Sequence, residues 1–481
     1  MKIFDYVLEK YKRINTKVKA GLWFTISNIL LQGISFITLP IFTRLLTLEE
    51  YGTLTLFYSW VAILSLVISL NVWTGGFNVG LTKNDMKQDA FAASAQGLGT
   101  SICVAFLIIS IVGLDNISNW FGLSPILTLF VFIHVLFSIP INVWAQKNRF
   151  NLSYKKVVFV SVVQAVVNPV LGYILVIDST DRDFARILGS LTVTVILGTT
   201  CFLLNIRSGK RFFDKDTWSY LFWFNIVLLP HYISAQILNQ SDRVMIANMC
   251  SNSEAGLYGV AYNFGMIMTL ITSGIETVVT PHTFKCLKQR TISEINKMVR
   301  FALSVIVVGA ILLMCIIPDV FYFILPSGYH EAVFIVPIVV ASAFFQFVYP
   351  LFSNVELFYN ERKYISFVSC LIAAINIGSN YILINRFGYV AAAYTTLMGY
   401  ILFCILHYVF MNKVLKFNNE EQIYDTRVVC IISIALLVVT FVIMSLYYNS
   451  YVRYGVIMSV VFLFVVFRKT FIEQALKYFS K

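Results

Sequence analysis

Fourteen apolar runs, each near twenty residues, dominate the chain and constrain its fold more than any other feature. With ends good to a few residues they are 22–42, 53–73, 91–113, 123–144, 157–177, 187–206, 217–240, 256–280, 301–325, 331–353, 364–384, 390–411, 427–447 and 453–472. A bilayer core of about 30 Å takes roughly 20 helical residues, so each run is long enough to span. Charged residues make up only 12% of the 481, against roughly 25% in a soluble domain. Spanning strands would alternate apolar and polar residues over about ten positions. "VVFVSVVQAVVNPVLGYILV" (157–176) does not alternate. The expected fold is therefore an all-α polytopic membrane protein of about fourteen transmembrane helices.

The first run is too long for the apolar region of a cleaved signal and lacks a small-x-small exit, so none is expected. Residues 1–19 mix Ile3, Phe4, Val7, Leu8 and Tyr11 with six basic residues. That pattern predicts a helix lying on an anionic membrane surface, with a frayed basic tail as the alternative. The eight cysteines are scattered, without a C-x-x-C pair. They read as packing residues, with no disulfide or metal framework.

A net charge of +12 would suggest nucleic acid until it is mapped. When the connections are numbered alternately from a cytoplasmic N-terminus, thirty of the 36 Lys and Arg fall on one side, including every Lys. Six arginines fall on the other: Arg44, Arg182, Arg186, Arg243, Arg386 and Arg453. This is the positive-inside pattern, and one missed helix would have scrambled it. Both termini are expected in the cytoplasm, and no nucleic-acid partner is implied. The longest connection, near 281–300, is too short for a soluble domain.

The chain also repeats itself. "KKVVFVSVVQAVVNPVLGYIL" (155–175) and "KYISFVSCLIAAINIGSNYIL" (363–383) align without a gap at an offset of 208, with 9 of 21 positions identical, Asn168 and Asn376 among them. Tyr51-Gly52 returns as Tyr258-Gly259. Arg44 returns as Arg243 at offset 199. Six helices thus correspond to six, entering from the same side, as two parallel lobes about an axis along the membrane normal. Residues 1–20 are set apart as the basic segment, 21–210 and 211–412 as the lobes, and 413–481 as two further helices with the C-terminus. Helices thirteen and fourteen lie outside the repeat, either shaping a lipid groove or packing at the edge. Two lobes rocking around a central site is a transporter plan.

Twelve residues before each repeated Arg stands a polar mid-helix residue, Gln32 or His231, and three further on stand Ser35 and Ser234. Residues three apart share a helix face, and polar groups at membrane depth are costly unless they face protein or water. These faces are expected to line an aqueous path ending at Arg44 and Arg243; helix-packing hydrogen bonds are the alternative. Glu276 and Asp242 are the acids placed for ion coupling, although Glu276 also reads as an interfacial acid paired with Lys285 or His282. Glu356 sits at a helix end. His134 reads as a packing residue, and Glu49 and Glu50 as caps of an outer turn.

"LPIFTRLLTLEEYGTL" (39–54) and "NIGSNYILINRFGYVAAAYTTLMGY" (376–400) resemble bacterial polysaccharide flippases of the Wzx type, in the multidrug/oligosaccharidyl-lipid/polysaccharide exporter superfamily. Helix count, paired lobes and length agree with that family across nearly the whole chain. Two positions depart from it: Thr47-Leu48 stands where Gly often precedes the acidic pair, and "YVAAAY" has Ala where Gly is common. The resemblance implies an undecaprenyl-diphosphate-linked oligosaccharide carried from the inner to the outer leaflet by alternating access, for O-antigen or capsule synthesis. It implies a cationic cavity, whose charge here must come from Arg44, Arg243 and the inner loop ends. It places a monomer in a bacterial cytoplasmic membrane, among membrane lipids and beside polysaccharide polymerase machinery. No cofactor and no enzymatic activity are expected.

The chemistry agrees with that implication. Burying an isolated charge in hydrocarbon costs tens of kcal/mol by Born estimates, so a diphosphate needs a wet cleft, and the planar fork of Arg matches phosphate oxygens. One negative charge moved outward gains about 2.3 kcal/mol per 100 mV. The sequence has no G-x-x-x-x-G-K-[ST] loop to bind a nucleotide. A cation antiporter of the same superfamily is the runner-up, and it would favour acidic cavity groups. A membrane glycan polymerase or glycosyltransferase is a third reading; the D-x-D Asp181-Arg182-Asp183 sits in an outer loop of about ten residues, too short for a nucleotide–metal site.

Overall fold

The computed structural model describes residues 16–83 and 87–479. The surface helix expected over 1–19 lies mostly outside the described residues. Each of the fourteen apolar runs falls on helix. The chain runs α1 (Thr16–Leu45), α2 (Leu48–Ile68), a short α3 (Gly76–Lys83), α4 (Gln88–Val112), a short α5 (Leu114–Phe121), α6 (Pro125–Phe150), α7 (Tyr154–Ile177), α8 (Arg182–Gly209) and α9 (Lys215–Met249). It continues through α10 (Asn252–Gly265), α11 (Ile267–Gln289), α12 (Ile292–Ile324), α13 (Val336–Phe358), α14 (Arg362–Phe387), α15 (Val390–Phe417), α16 (Thr426–Ser445) and α17 (Ser450–Phe479). Among the described residues twelve helical spans are long and apolar enough to cross a membrane. The first and last runs lie on α1 and α17, whose described apolar stretches, Leu30–Leu45 and Ser450–Leu463, are shorter. This is an all-helical, multi-pass membrane protein.

The chain divides into two compact units between Gln236 and Ile237, inside α9. In the first unit α8 packs on α7 and α6, and α6 packs on α4 and α2. In the second, α15 packs on α14 and α13, and α13 packs on α12 and α11. The packing order is the same, as the repeat predicts. Helices α16 and α17 lie against α12 in the second unit. There Tyr447 donates to the Met314 carbonyl at 3.0 Å, and the buried guanidinium of Arg453 meets Asp319. Large apolar side chains such as Trp223, Val227, Phe323 and Phe462 stand more than 60% exposed, as suits faces turned to lipid.

Small residues let the helices of the first unit close up. A Cβ built on Gly198 of α8 would lie 2.3 Å from the Phe137 carbonyl oxygen of α6, and one on Gly189 would lie 2.9 Å from the Gly172 backbone of α7.

The charged break at 43–52 is tighter than the apolar runs suggested: only Leu46 and Thr47 separate α1 from α2. Arg44 stands in the last turn of α1, with Glu49 and Glu50 in the first turn of α2. Each charge therefore complements the dipole of its own helix. Glu50 does more than that: its carboxylate accepts from the Thr47 N–H at 2.7 Å while the Glu50 N–H donates to Thr47 Oγ1 at 3.2 Å, closing a capping box. Thr47→Ala is expected to cost about 1 kcal/mol, read as a lowered thermal midpoint in detergent with unchanged helix content.

Candidate functional site

The second unit buries a polar cluster at one end of its helices. Its centre is Asp242 of α9, 1% exposed. A carboxylate at that depth is costly unless its oxygens are satisfied. Here Oδ2 accepts from the Tyr258 hydroxyl of α10 at 2.6 Å and the Thr396 hydroxyl of α15 at 2.5 Å, and Oδ1 accepts from Asn380 Nδ2 of α14 at 2.7 Å. Asn380 Nδ2 also reaches Asn376 Oδ1, one turn earlier, at 3.3 Å, and Asn380 Oδ1 accepts from the Thr395 hydroxyl. Ser241 donates to the same Asn376 oxygen at 3.3 Å. Asn376 Nδ2 is buried with no partner among the described residues. Four helices thus converge on one acid through neutral donors, with amide and hydroxyl oxygens in the second rank. That arrangement holds a carboxylate without an ion pair and offers oxygens to a small cation.

Arg243, the neighbour of Asp242, is 7% exposed. Its Nη1 donates to Gln240 Oε1 at 2.5 Å and to the Asn239 carbonyl at 3.1 Å, and its guanidinium lies 4.3 Å from the Tyr262 ring centre. Tyr400 of α15 donates to Asn239 Oδ1 at 2.9 Å. The two charged residues therefore share one network of α9, α10, α14 and α15.

A protein-family model described as polysaccharide biosynthesis protein matches residues 18–287, more than half of the chain. The chain belongs to this family. It is 22% identical over 356 residues to protein 1 of the Lsg locus of Haemophilus influenzae, covering 72% of this chain and 86% of that protein. Among solved structures, the lipid II flippase MurJ in an inward closed conformation superposes with a TM-score of 0.64 at 15% identity, covering 92% of this chain and 99% of that one. An inward-facing multidrug resistance MATE transporter superposes at 0.66 with 12% identity, covering 84% of this chain and all of the other. At such identities the likeness establishes the fold that this family member shares with transporters.

The residues singled out in the sequence sit in contrasting settings within this family member. Gln32 and Ser35 are exposed on one face of α1, and Ser35 donates back to the Leu31 carbonyl at 3.0 Å. His231 is half-buried beside Tyr232, while Ser234 is 7% exposed and donates to the Pro230 carbonyl at 2.7 Å. Arg44 is exposed at the end of α1, whereas its repeat mate Arg243 is enclosed. Glu276 is half-buried on α11; its anticipated pairing with Lys285 or His282 is not among the ion pairs of the described residues. His134 packs between the edges of Phe57 and Tyr58, with Thr194 3.3 Å from its Nε2. Asp181-Arg182-Asp183 opens α8, and Arg182 donates to the Leu45 carbonyl at 2.9 Å.

The ligands of Asp242, namely Tyr258, Asn380 and Thr396, escaped the sequence reading. Their signal is a place where the repeat breaks. At the offsets of the repeat, Asp242 faces Thr43 and Asn380 faces Gly172. In the first unit Asn168 instead accepts from Arg186 Nη1 at 2.9 Å, and the Arg186 side chain fills the space that Gly172 leaves. Repeat-equivalent positions thus hold an acid cluster in one unit and a guanidinium in the other, a difference that a search for identities passes over.

Proposed function

We propose that this protein carries an undecaprenyl-diphosphate-linked oligosaccharide repeat unit from the inner to the outer leaflet of a bacterial cytoplasmic membrane, by alternating access, for a cell-surface polysaccharide such as O-antigen or capsule. The observation that carries the reading is membership of the polysaccharide biosynthesis family on a fold shared with a lipid II flippase. The one-sided distribution of lysine supports cytoplasmic termini. Arg44 and Arg243 are the groups assigned to the diphosphate, with Gln32, Ser35, His231 and Ser234 toward the glycan. Asp242 is assigned to the coupling cation, since its neutral donors leave the carboxylate charge for an incoming ion to balance. Glu276, half-buried with no ion pair among the described residues, is a second acid for that role.

The test is headgroup translocation in proteoliposomes containing an undecaprenyl-diphosphate oligosaccharide. Wild type is expected to move the lipid. Arg44→Ala, which removes an exposed side chain, is expected to slow transport at least tenfold with an unchanged thermal midpoint, a rise of about 1.4 kcal/mol in the transport barrier. Arg243→Ala is expected to lose both transport and stability, because Gln240, Tyr262 and the Asn239 carbonyl lose the guanidinium they contact. Wild type that moves a small cation but no such lipid would sink the reading in favour of an antiporter.

A further inference from the structure

The same unit holds a second buried acid that the cluster at Asp242 does not use. Glu356 lies in the last turn of α13 and His407 on α15, 0% and 1% exposed. His407 Nδ1 and Glu356 Oε1 are 2.9 Å apart. The outer atoms of the pair, Glu356 Oε2 and His407 Nε2, are buried with no hydrogen-bond partner among the described residues. The His407 ring packs against Tyr349, at 5.8 Å and 23° between ring planes, and against Phe403, at 5.8 Å and 8°, which themselves lie 4.9 Å apart.

Among the described residues no third charged group forms an ion pair with either residue. On the pair's own helices the titratable neighbours are Tyr349, Tyr400, Cys404 and Tyr408, and the Cys404 thiol lies 3.5 Å from the Phe345 carbonyl. From α11, Glu276 is close enough to Tyr349 to act on it electrostatically. From α10, Tyr262 reaches the Tyr400 end of the stack through Asn239. Ahead of α16, Tyr424 packs against Phe352. Arg300 of α12 closes on Asp425 at 2.6 Å and Lys363 of α14 on Glu361 at 2.9 Å.

Count the protons. With a carboxylate on Glu356 and one N–H on His407, the pair carries a net −1. One added proton, on either residue, makes it neutral. Net charge in a low-dielectric interior is far more costly than a neutral hydrogen-bonded pair. A dyad with two unused polar atoms is therefore a receptor for one proton. We propose that Glu356 and His407 form a proton-binding site of the transport cycle, which takes up one proton to cancel its buried charge and returns it when water reaches the pair.

The packing joins this site to the Asp242 cluster. Thr396, Tyr400, Phe403 and His407 lie on one stripe of α15, by the spacing of three and four residues that lines a helix face. Thr396 holds Asp242 and Tyr400 holds Asn239 at one end. His407 holds Glu356 at the other, about 16 Å away by helical rise. A shift of α15 would act on both sites at once.

The proposal rests on the transport reading, so two measurements separate them. The first needs no substrate: infrared difference spectra of the purified full-length protein across pH and after transfer to D2O. A carboxylic-acid C=O band that shifts in D2O and is lost in Glu356→Gln supports the site. Absence both of such a band and of a pH-dependent imidazolium band that is lost in His407→Gln, or bands unchanged in these variants, overturns it. The second is lipid translocation under an imposed pH gradient, where one unit can bias a coupled equilibrium by up to about tenfold. Wild type is expected to respond to the gradient, and Glu356→Gln and His407→Gln to transport at a rate independent of it, with a retained thermal midpoint in Glu356→Gln. A Glu356→Gln protein that still follows the gradient overturns the proposal. Failure of wild type to move the lipid sinks the flippase reading alone and leaves the infrared result to decide the pair.

Discussion

Asp242→Ala is expected to destabilise the folded protein by about 2–4 kcal/mol. Three donors lose their acceptor at once: Tyr258, Asn380 and Thr396, at 2.6, 2.7 and 2.5 Å. A buried donor left unsatisfied costs roughly 1–3 kcal/mol in soluble proteins, but hydrogen bonds within membranes average only about 0.6 kcal/mol, so three of them sum toward the lower end. The truncated side chain also leaves a cavity that Asn376 and Asn380 cannot close without moving α14. Asp242→Asn keeps the shape and most acceptors, and should recover at least half of the loss. The checking measurement is unfolding of the purified protein in mixed micelles for both variants. An alanine variant as stable as wild type would mean that the donors find new partners and that the cluster does not hold α9, α10, α14 and α15 together. In transport assays, Asp242→Asn should abolish any dependence on the coupling cation even where it folds, since a neutral amide has no charge for the ion to balance.

Gly198→Leu is expected to be the more damaging change, about 3 kcal/mol or more. Even a Cβ would lie 2.3 Å from the Phe137 carbonyl oxygen and 2.7 Å from the Phe137 Cβ. Backbone cannot swing aside as a flexible side chain can, so α6 and α8 must separate. Overpacking a well-filled core typically costs 1–3 kcal/mol. Here it falls on the helix that also carries Gly189 against Gly172 of α7, so the separation propagates. The expected result is a large drop in the yield of monodisperse protein and in the thermal midpoint. Gly274→Ala is the matched control: nothing lies within 4 Å of its Cβ, and the added helix propensity of about 1 kcal/mol should leave the midpoint equal or higher. Equal behaviour of Gly198→Leu and the control would show that α6 and α8 are not packed this closely.

Some of this was legible residue by residue. The apolar runs placed every long helix, because crossing a bilayer sets a length that a stretch of chain either meets or does not. The Glu50 cap at Thr47 was legible for the same reason, since its partners lie three residues apart. The repeated Asn168 and Asn376 marked the right helices, yet not the use made of them. Asn168 meets Arg186 at 2.9 Å, whereas Asn376 stands in the second rank around Asp242.

The sequence by itself determined a helical membrane protein, the positions of its spans and the six-and-six repeat within them. All of these follow from local run length, side-chain polarity and self-similarity. Only the tertiary structure decided which polar residues became a site. Asp242 is completed by Tyr258, Asn380 and Thr396, and Glu356 by His407, from helices up to 154 residues away in the chain. Inside a membrane a polar side chain is paired by whichever neighbouring helix brings a donor within about 3 Å, and that neighbour is chosen by the packing of small and apolar residues along the rest of each helix.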